Sequence, residues 1–446
     1  MTILSIFKKS EFSIAAYANL NEGTPVPANL IQEGDGLSDS QAIDFASSYS
    51  IITQYNDSPE ESGIDTSFST TIFKDNAGNL TIGFRGTLEF IQDIDDGKDI
   101  YFHGVAYEQI VAMHNWWKRV ATQPGETVQQ FAIQYFHDEA PVPDDAVFLY
   151  EKEEVILDVG YDASTIRYYL VETDNAVATG DINSVLTTDP NQKVSLTGHS
   201  LGGHLAMAFG ALFPEVTENI TVFNAPSFKQ TAINEAFFSR MGGELPSGDN
   251  TVNIAADEAL LDEDPFVPIA GMHGRPGENI DIAIEDQFLS DEPDPFGSYN
   301  HSIQALTYSL AVYATLSLAA PDLSLDTYKT LLHSSAIGTA AGLENLIGKF
   351  GRLFDPDLEI PEAGNDYRDA LYQTVYSIHN HADYQAAEGK VDVVSLAGMR
   401  RDALVTQAKT DIAYRYALVN LDPFTLIGNK SNSVRWCEIE LCRVAS

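Results

Sequence analysis

Hydrophobic residues recur at regular spacings along the first quarter of the chain. Between residues 38 and 55 they return every three or four positions, which predicts a helix capped by Ser38 or Asp39. Two apolar runs, 70–74 and 80–84, are separated by Asp-Asn-Ala-Gly, and this pattern predicts a β-hairpin. An amphipathic helix is then predicted over about 105–120.

Strands and helices continue to alternate further along the chain. Residues 138–190 indicate a two-stranded excursion and a helix, and 220–223 and 251–256 are predicted as core strands. From His301 to about Phe424 the pattern is helical, most clearly over 326–354 and 366–378. The sequence therefore predicts an α/β fold with a mostly parallel sheet covered on both faces, in residues 1–325. A helical extension, 326–430, packs on it, and a tail of different character follows over 431–446.

The segment Gly198-His199-Ser200-Leu201-Gly202-Gly203 lies between an apolar strand and a helix with small residues. Glycines at 198 and 202 allow a sharp turn and a close approach of strand and helix. The serine between them is then exposed in a strained turn at the start of a helix. This is the nucleophile elbow of a serine hydrolase.

A serine hydroxyl needs a general base, and in hydrolases with this elbow the histidine follows the serine in the chain. The later histidines are His204, His273, His301, His333, His379 and His381. His204 is one helical turn beyond Ser200 and is poorly placed to face its hydroxyl. His301 directly precedes the apolar segment 303–320, at a loop-to-helix junction, and is the predicted base.

The predicted carboxylate of the triad follows the strand at 251–256. Asp264 is preferred, Asp257 is the next candidate, and Asp262 lies in the same segment. The oxyanion needs two N–H donors. These are predicted to be the backbone N–H of Leu201 and that of Thr87, which follows the strand at 80–84. Arg85 is expected to have a structural role, paired with a carboxylate or a carbonyl.

The chain carries 65 acidic and 25 basic residues, a formal charge of −40. This charge disfavours nucleic acid as a partner. An acidic loop is predicted over 93–99, and its candidates for calcium binding are Asp93, Asp95, Asp96 and Asp99. The chemistry itself requires no cofactor, so calcium is a possibility rather than a requirement.

Export and membrane signals are weak in this sequence. The N-terminus lacks a secretory signal pattern, and the apolar segment 303–320 is interrupted by polar residues. The segment 303–320 is therefore predicted to be a buried helix, and no transmembrane segment is predicted. Two locations stay open: export without an N-terminal signal, or the cytoplasm. The two cysteines, both in the last ten residues, provide no disulfide framework.

Part of residues 88–140 is predicted to form a lid over the site. The region follows the oxyanion segment and contains an amphipathic helix with Trp116 and Trp117. The alternative interpretation is that this helix is buried in the core.

With these residues in place, the chain resembles the lipase class 3 families. Phe-Arg-Gly-Thr at 84–87, the elbow at 198–203 and Asn-Ala-Pro-Ser at 224–227 carry this resemblance. Residues 104–107, 115–117, 264–265 and 300–303 are similar to bacterial lipases and phospholipases A1 of calcium-dependent repeat proteins. The chain departs from them because it has no Gly-Gly-x-Gly-x-Asp repeats.

The resemblance implies an α/β-hydrolase fold, a mobile lid and hydrolysis of carboxylic esters of lipids or phospholipids, with a lipid–water interface as one setting for the reaction. Two alternatives stay open. One is a thioesterase or short-chain esterase on the same triad. The other is a catalytically idle, hydrolase-like interaction module of a secreted protein.

Overall fold

The structure is a computed structural model. It describes residues 1–31, 36–57, 66–86, 94–137, 140–156, 162–189, 191–257, 270–285, 301–337, 341–362, 368–421 and 423–428. The predicted tail at 431–446 lies outside these described residues.

The strands, numbered in chain order, are β1 (Tyr49–Asn56), β2 (Ser69–Asp75), β3 (Leu80–Phe84), β4 (Thr127–His137), β5 (Val147–Ile156), β6 (Asp162–Val177), β7 (Val194–His199), β8 (Thr217–Phe223), β9 (Thr251–Ala256), β10 (Glu278–Ile282), β11 (Val391–Ser395) and β12 (Phe424–Gly428). The helices are α1 (Ile3–Ala15), α2 (Pro27–Leu30), α3 (Asp39–Ser48), α4 (Ile94–His103), α5 (Tyr107–Ala121), α6 (Asn183–Thr188), α7 (Leu201–Leu212), α8 (Ala232–Arg240), α9 (Ile303–Ala319), α10 (Leu325–Ala336), α11 (Gly342–Gly351), α12 (Asp369–Asn380), α13 (Ala382–Ala387), α14 (Arg401–Thr410) and α15 (Ile412–Asn420).

A seven-stranded sheet with the order β1-β2-β3-β7-β8-β9-β10 forms the centre of the molecule. The pairs β1–β2 and β2–β3 are antiparallel, and the other four pairs are parallel. Every residue of β3, β7 and β9 is buried. Parallel strands of this kind need helices on both faces. α1 and α9 lie on one side, and α5 and α7 lie on the other. The predicted mostly parallel sheet with flanking helices is therefore confirmed.

The predicted helix at 38–55 is wrong in its second half. The helix ends at Ser48, and the following residues form β1, in which Ile51 pairs with Phe73 of β2. Residues 51–53 are β-branched, and such side chains favour a strand when a neighbouring strand is available for pairing. The hairpin of β2 and β3 and the helix α5 agree with the sequence prediction.

The two strands and the helix predicted within 138–190 are confirmed as β5, β6 and α6, but the preceding strand β4 was not predicted. The chain forms a three-stranded antiparallel sheet with the order β4-β6-β5, which begins earlier, at Thr127. Phe131, Ile133 and Tyr135 alternate along β4 and pair with β6, so a period of two residues was present in the sequence. Only the short helix α6 separates this sheet from β7.

The C-terminal region is helical as predicted, and α10 to α15 share one hydrophobic core with α1 and α9. β11 and β12, an antiparallel pair, were not predicted. A buried ion-pair cluster joins the two regions, because the Arg368 guanidinium lies 2.5 Å from a Glu285 oxygen and also contacts Glu344. In the part of the chain that the structure describes, no helix is both long and apolar enough to cross a membrane.

Candidate active site

Ser200 lies at the turn between β7 and α7, at the carboxyl edge of the parallel strands. Its φ of 56° and ψ of −127° put it in a conformation that side-chain-bearing residues rarely adopt. A Cβ on Gly198 would collide with the backbone of Gly202, and a Cβ on Gly202 with the carbonyl of Phe84. Both glycines are therefore required by close backbone approach. A central parallel sheet with a strained serine at this strand-to-helix turn is the α/β-hydrolase fold.

His301 is the histidine that the structure brings to Ser200. Its Nε2 atom lies 2.9 Å from the Ser200 Oγ atom. His301 directly precedes α9, whose first turn is capped by the Ser302 hydroxyl, 3.3 Å from the Ala305 N–H. Because Nε2 faces a hydroxyl that can donate its proton, the pair has the geometry of a nucleophile and its general base.

The electrostatics of His301 are set by its burial. Burial, together with the neighbouring His199 ring, holds the pKa of His301 well below its ordinary value. The imidazole is therefore neutral at pH 7 and able to accept a proton. A low pKa also makes it a weak base, and a carboxylate at its other ring nitrogen would correct this by favouring the imidazolium.

The backbone carbonyl of His301 receives two hydrogen bonds that sequence reasoning missed. His199 Nε2 lies 2.7 Å from this oxygen, and Asn224 Nδ2 donates to it over 3.1 Å. Asn224 has a φ of 46°, and its own Oδ1 accepts from the Ala256 N–H at 3.2 Å. Both residues belong to motifs noted in the sequence, the elbow at 198–203 and the segment 224–227, but these patterns gave no sign that the two side chains meet at His301.

The candidates for a triad carboxylate are less well placed than Ser200 and His301. Asp264, the preferred candidate, and Asp262 lie outside the described residues. The other candidate, Asp257, follows β9 and forms an ion pair with Lys329 of α10. Thus Asp257 is engaged by a lysine of the helical extension.

Of the two predicted oxyanion donors, the structure places only Leu201. The N–H of Leu201 is the first of α7, and the first N–H groups of a helix have no acceptor within it. Thr87 lies outside the described residues. The strand before it, β3, pairs Phe84 with Gly198 of β7, so the chain leaves the sheet beside the elbow. Arg85 donates to the Ser67 carbonyl at 3.1 Å, which confirms its expected structural pairing.

Two other histidines near the elbow are tied to backbone groups. His204 accepts from the Ala106 N–H at 3.3 Å and lies 3.3 Å from the Pro226 carbonyl, and burial lowers its pKa to about 3. His273 donates through Nε2 to the Ile100 carbonyl at 2.7 Å. Both imidazole rings are therefore held by main-chain groups.

The acidic segment 93–99 was predicted as a loop, and this is wrong, because residues from Ile94 onward form α4. Asp93 and the side chains of Asp95 and Asp96 lie outside the described part, and Asp99 Oδ1 lies 3.9 Å from His103 Nε2. A helix spreads neighbouring carboxylates over different faces, whereas a calcium loop converges them. Among the described residues, no group of three or more His, Cys, Asp or Glu side chains is arranged to hold a metal ion.

The lid prediction for part of residues 88–140 was motivated by the helix now seen as α5, and the structure buries the two tryptophans of that helix. Trp116 and Trp117 are 2% and 3% exposed and pack against aromatic residues of the core. The preceding helix, α4, differs, because Tyr101 is 46% and Phe102 is 62% exposed. Its last carbonyls are capped by side chains: Lys229 Nζ donates to those of Tyr101 and Phe102, at 3.0 and 2.6 Å.

Comparisons with known proteins add little. No protein-family model and no curated protein sequence matches the chain. Among solved structures, the chain is similar to the Lip2 lipase of Yarrowia lipolytica, with 15% identity and a TM-score of 0.31, over 63% of this chain and 78% of that one. It is also similar to lipase II of Rhizopus niveus, with 15% identity and a TM-score of 0.28, over 60% and 78% of the two chains. These TM-scores are too low to support an argument, so the fold assignment rests on the sheet and elbow themselves. Membership of lipase class 3 stays a prediction.

Proposed function

We propose that this protein is a serine carboxylic-ester hydrolase that acts on lipid esters, as lipases and phospholipases A1 do. The observation that carries the proposal is the 2.9 Å contact between Ser200 Oγ and His301 Nε2, at a strained elbow in a parallel sheet. In this proposal Asp264 is the triad carboxylate, and the N–H groups of Leu201 and Thr87 form the oxyanion hole.

In the first half of the reaction, Ser200 Oγ attacks the ester carbonyl while its proton passes to His301 Nε2. The carbonyl oxygen becomes an oxyanion, which the Leu201 and Thr87 N–H groups stabilise. The tetrahedral intermediate then collapses, and the bond to the alcohol breaks. The leaving alcohol takes the proton from His301, and an acyl-enzyme ester on Ser200 remains.

In the second half, a water molecule attacks the acyl-enzyme and gives one proton to His301. The bond to Ser200 Oγ breaks, the serine recovers that proton, and the fatty acid leaves. Asp264 holds the imidazole in the Nδ1–H tautomer and stabilises the imidazolium in both halves. No step requires a metal ion.

The support for a lipid substrate is helix α4. It begins shortly after Thr87 in the chain, and it exposes two adjacent aromatic side chains, Tyr101 and Phe102. Exposed aromatic pairs of this kind are typical of surfaces that meet an apolar partner. We therefore propose that the lid within 88–140 is α4, with α5 as its core support.

The test measures ester hydrolysis by the purified protein and by Ser200→Ala. We expect the wild type to release fatty acid from long-chain esters and to react with a fluorophosphonate at Ser200. Ser200→Ala should lose roughly 10³-fold or more in kcat while its melting temperature stays unchanged. Near-normal turnover by this variant would rule the proposal out.

Substrate profiling sharpens the same experiment. Fatty-acid release from phosphatidylcholine and from a triglyceride, each with and without a calcium chelator, distinguishes phospholipase from lipase activity and tests calcium dependence. A preference for acyl thioesters or short-chain esters would favour the esterase alternative. A wild type that neither hydrolyses esters nor reacts with the fluorophosphonate would favour the idle module.

A further inference from the structure

The base His301 is held in place by a chain of side-chain hydrogen bonds that begins near the N-terminus. We propose that His199 and Tyr17 are positioning residues for His301. The Tyr17 hydroxyl donates to His199 Nδ1, and His199 Nε2–H donates to the backbone carbonyl of His301. The inference rests on the proposed function of Ser200 and His301 and assigns the residues that hold the base against the nucleophile.

The distances support a continuous connection. Tyr17 Oη lies 3.3 Å from His199 Nδ1, and His199 Nε2 lies 2.7 Å from the His301 carbonyl oxygen. The centroids of the two imidazole rings are 4.7 Å apart. His199 is the last residue of β7 and directly precedes Ser200. The same strand end therefore presents the nucleophile and holds the main chain of its base.

The chemistry of the partners fixes one tautomer of His199. A carbonyl oxygen can only accept a hydrogen bond, so Nε2 must carry the proton. Burial lowers the pKa of His199 to about 4, so the ring is neutral at pH 7 and Nδ1 has a free lone pair. The Tyr17 hydroxyl must then donate to it. The opposite tautomer would turn the Nε2 lone pair toward the carbonyl oxygen of His301.

Tyr17 connects this chain of hydrogen bonds to a second part of the site. It follows the C-terminal end of α1, which is fixed to β7 by a 2.8 Å hydrogen bond between Ser13 Oγ and Thr197 Oγ1. A Cβ on Gly86 would collide with Tyr17 Oη and would lie 2.7 Å from the His199 carbonyl oxygen. The tyrosine hydroxyl thus lies between the elbow and the backbone segment that leads to Thr87.

The position of His301 depends on such contacts because the residue lies outside the strands of the sheet. Asn224, at the end of β8, gives its carbonyl a second donor. Together the two donors tie the base to the ends of neighbouring strands. A displacement of about 1 Å at a reacting group costs on the order of 10²-fold in rate, so losing one donor should lower kcat.

The experiment compares Tyr17→Phe, His199→Phe and His199→Gln on a soluble ester. His199→Phe removes the donor, and we expect kcat to fall roughly 10- to 100-fold with KM unchanged. Glutamine keeps an Nε2 donor at a similar distance from the backbone, so His199→Gln should recover most of this loss. Tyr17→Phe removes only a neutral hydrogen bond and should lower kcat about two- to tenfold.

Matched controls lie in the helical extension. His379 is also buried with a pKa of about 4, and its Nε2 lies 3.0 Å from Thr315 Oγ1. Tyr384 donates its hydroxyl to the Thr315 carbonyl at 2.8 Å. Thr315 is about 20 Å along α9 from His301. His379→Phe and Tyr384→Phe should lower the melting temperature as much as the test variants do, and leave kcat unchanged.

Imidazole nitrogen NMR of the wild type tests the connection without a variant. We expect His199 to be a single, Nε2-protonated tautomer at pH 7, and Tyr17→Phe to mix the two tautomers. An Nδ1-protonated or mixed His199 in the wild type would overturn the inference, as would wild-type kcat in the folded Tyr17→Phe variant. Absence of esterase activity in the wild type would instead contradict the proposed function. The His199 tautomer would then still show whether the hydrogen bonds from Tyr17 to His199 and from His199 to His301 exist.

Discussion

The elbow and helix α4 are held in opposite ways. Ser200 follows a fully buried strand, and the contacts of Gly198 and Gly202 leave no room for a side chain. Helix α4 exposes Tyr101 and Phe102 and is fixed through its last carbonyls to side chains. The difference teaches that the elbow is built into the core, whereas α4 buries Ile100 there but leaves its aromatic pair exposed and its end held by polar contacts. Each region can therefore be perturbed without the other.

The largest expected effect concerns Asp264, the proposed triad carboxylate. We expect Asp264→Asn to lower kcat on a soluble ester by roughly 10⁴-fold, because an amide cannot stabilise the imidazolium that forms on His301. Asp257→Asn is the matched control, since its carboxylate pairs with Lys329. It should lose only the small stability of a partly exposed ion pair and keep its activity.

The opposite pattern would reassign the acid. If Asp257→Asn loses activity and Asp264→Asn does not, Asp257 must exchange its lysine partner for His301 during the reaction. Single-turnover acylation by a p-nitrophenyl ester measures the effect directly, and unfolding curves of both variants show whether either loss comes from stability.

The sequence predicted the elbow well because its requirements are local. A strand, two glycines and a helix are encoded within about fifteen residues, and the structure reproduces each of them. The hairpin of β2 and β3 and the helix α5 were predictable for the same reason. The pairing of β1 was not predictable, because a strand partner 13 to 26 residues further along the chain decides between helix and strand at 49–56.

The contacts around His301 could not be predicted for a related reason. His199 lies about one hundred residues from His301 in the chain, and Tyr17 lies still further away. Hydrogen bonds between such distant residues follow from the order of strands in the sheet, and a single sequence does not encode that order locally. Similarly, α4 was mistaken for a loop because its acidic first turn outweighs its few apolar residues.

A smaller effect is expected at the cover. Lys229 donates to the carbonyls of Tyr101 and Phe102, and both hydrogen bonds are exposed to solvent, so together they contribute only about 1 kcal/mol. Lys229→Met should loosen α4, so activity on a soluble short-chain ester should rise severalfold relative to activity on aggregated lipid. Lys118→Met removes the same charge from a lysine that lies over the Phe213 ring, and it should leave the ratio unchanged.

The comparison is weakened if Lys229→Met and Lys118→Met change the two activities equally. A second check is deletion of α4. If the deletion variant hydrolyses soluble and aggregated esters in the wild-type ratio, the helix is no lid.

The smallest expected effect is on stability at acid pH. It distinguishes the elbow, which His204 contacts, from helix α4, which His273 contacts. His204, beside the elbow, is fully buried with a pKa of about 3, against an ordinary value of 6.5. As the pH falls below 6.5, the unfolded chain binds this proton and the folded chain does not. The stability contributed by the neutral ring is therefore complete above pH 6.5 and decreases as the pH falls toward 4.

His204→Gln removes this titration. The glutamine amide keeps an acceptor for the Ala106 N–H and a donor for the Pro226 carbonyl. The free energy of unfolding, from urea titrations at pH 7 to 4, should fall less steeply in the variant, by up to about 1.4 kcal/mol per pH unit. The carboxylates titrate in both proteins, so the difference between the curves isolates the histidine. His273 caps α4 and is only partly buried. His273→Gln should therefore change the slope less, and an equal change would show that the histidine at the cover is held as tightly as the one at the elbow.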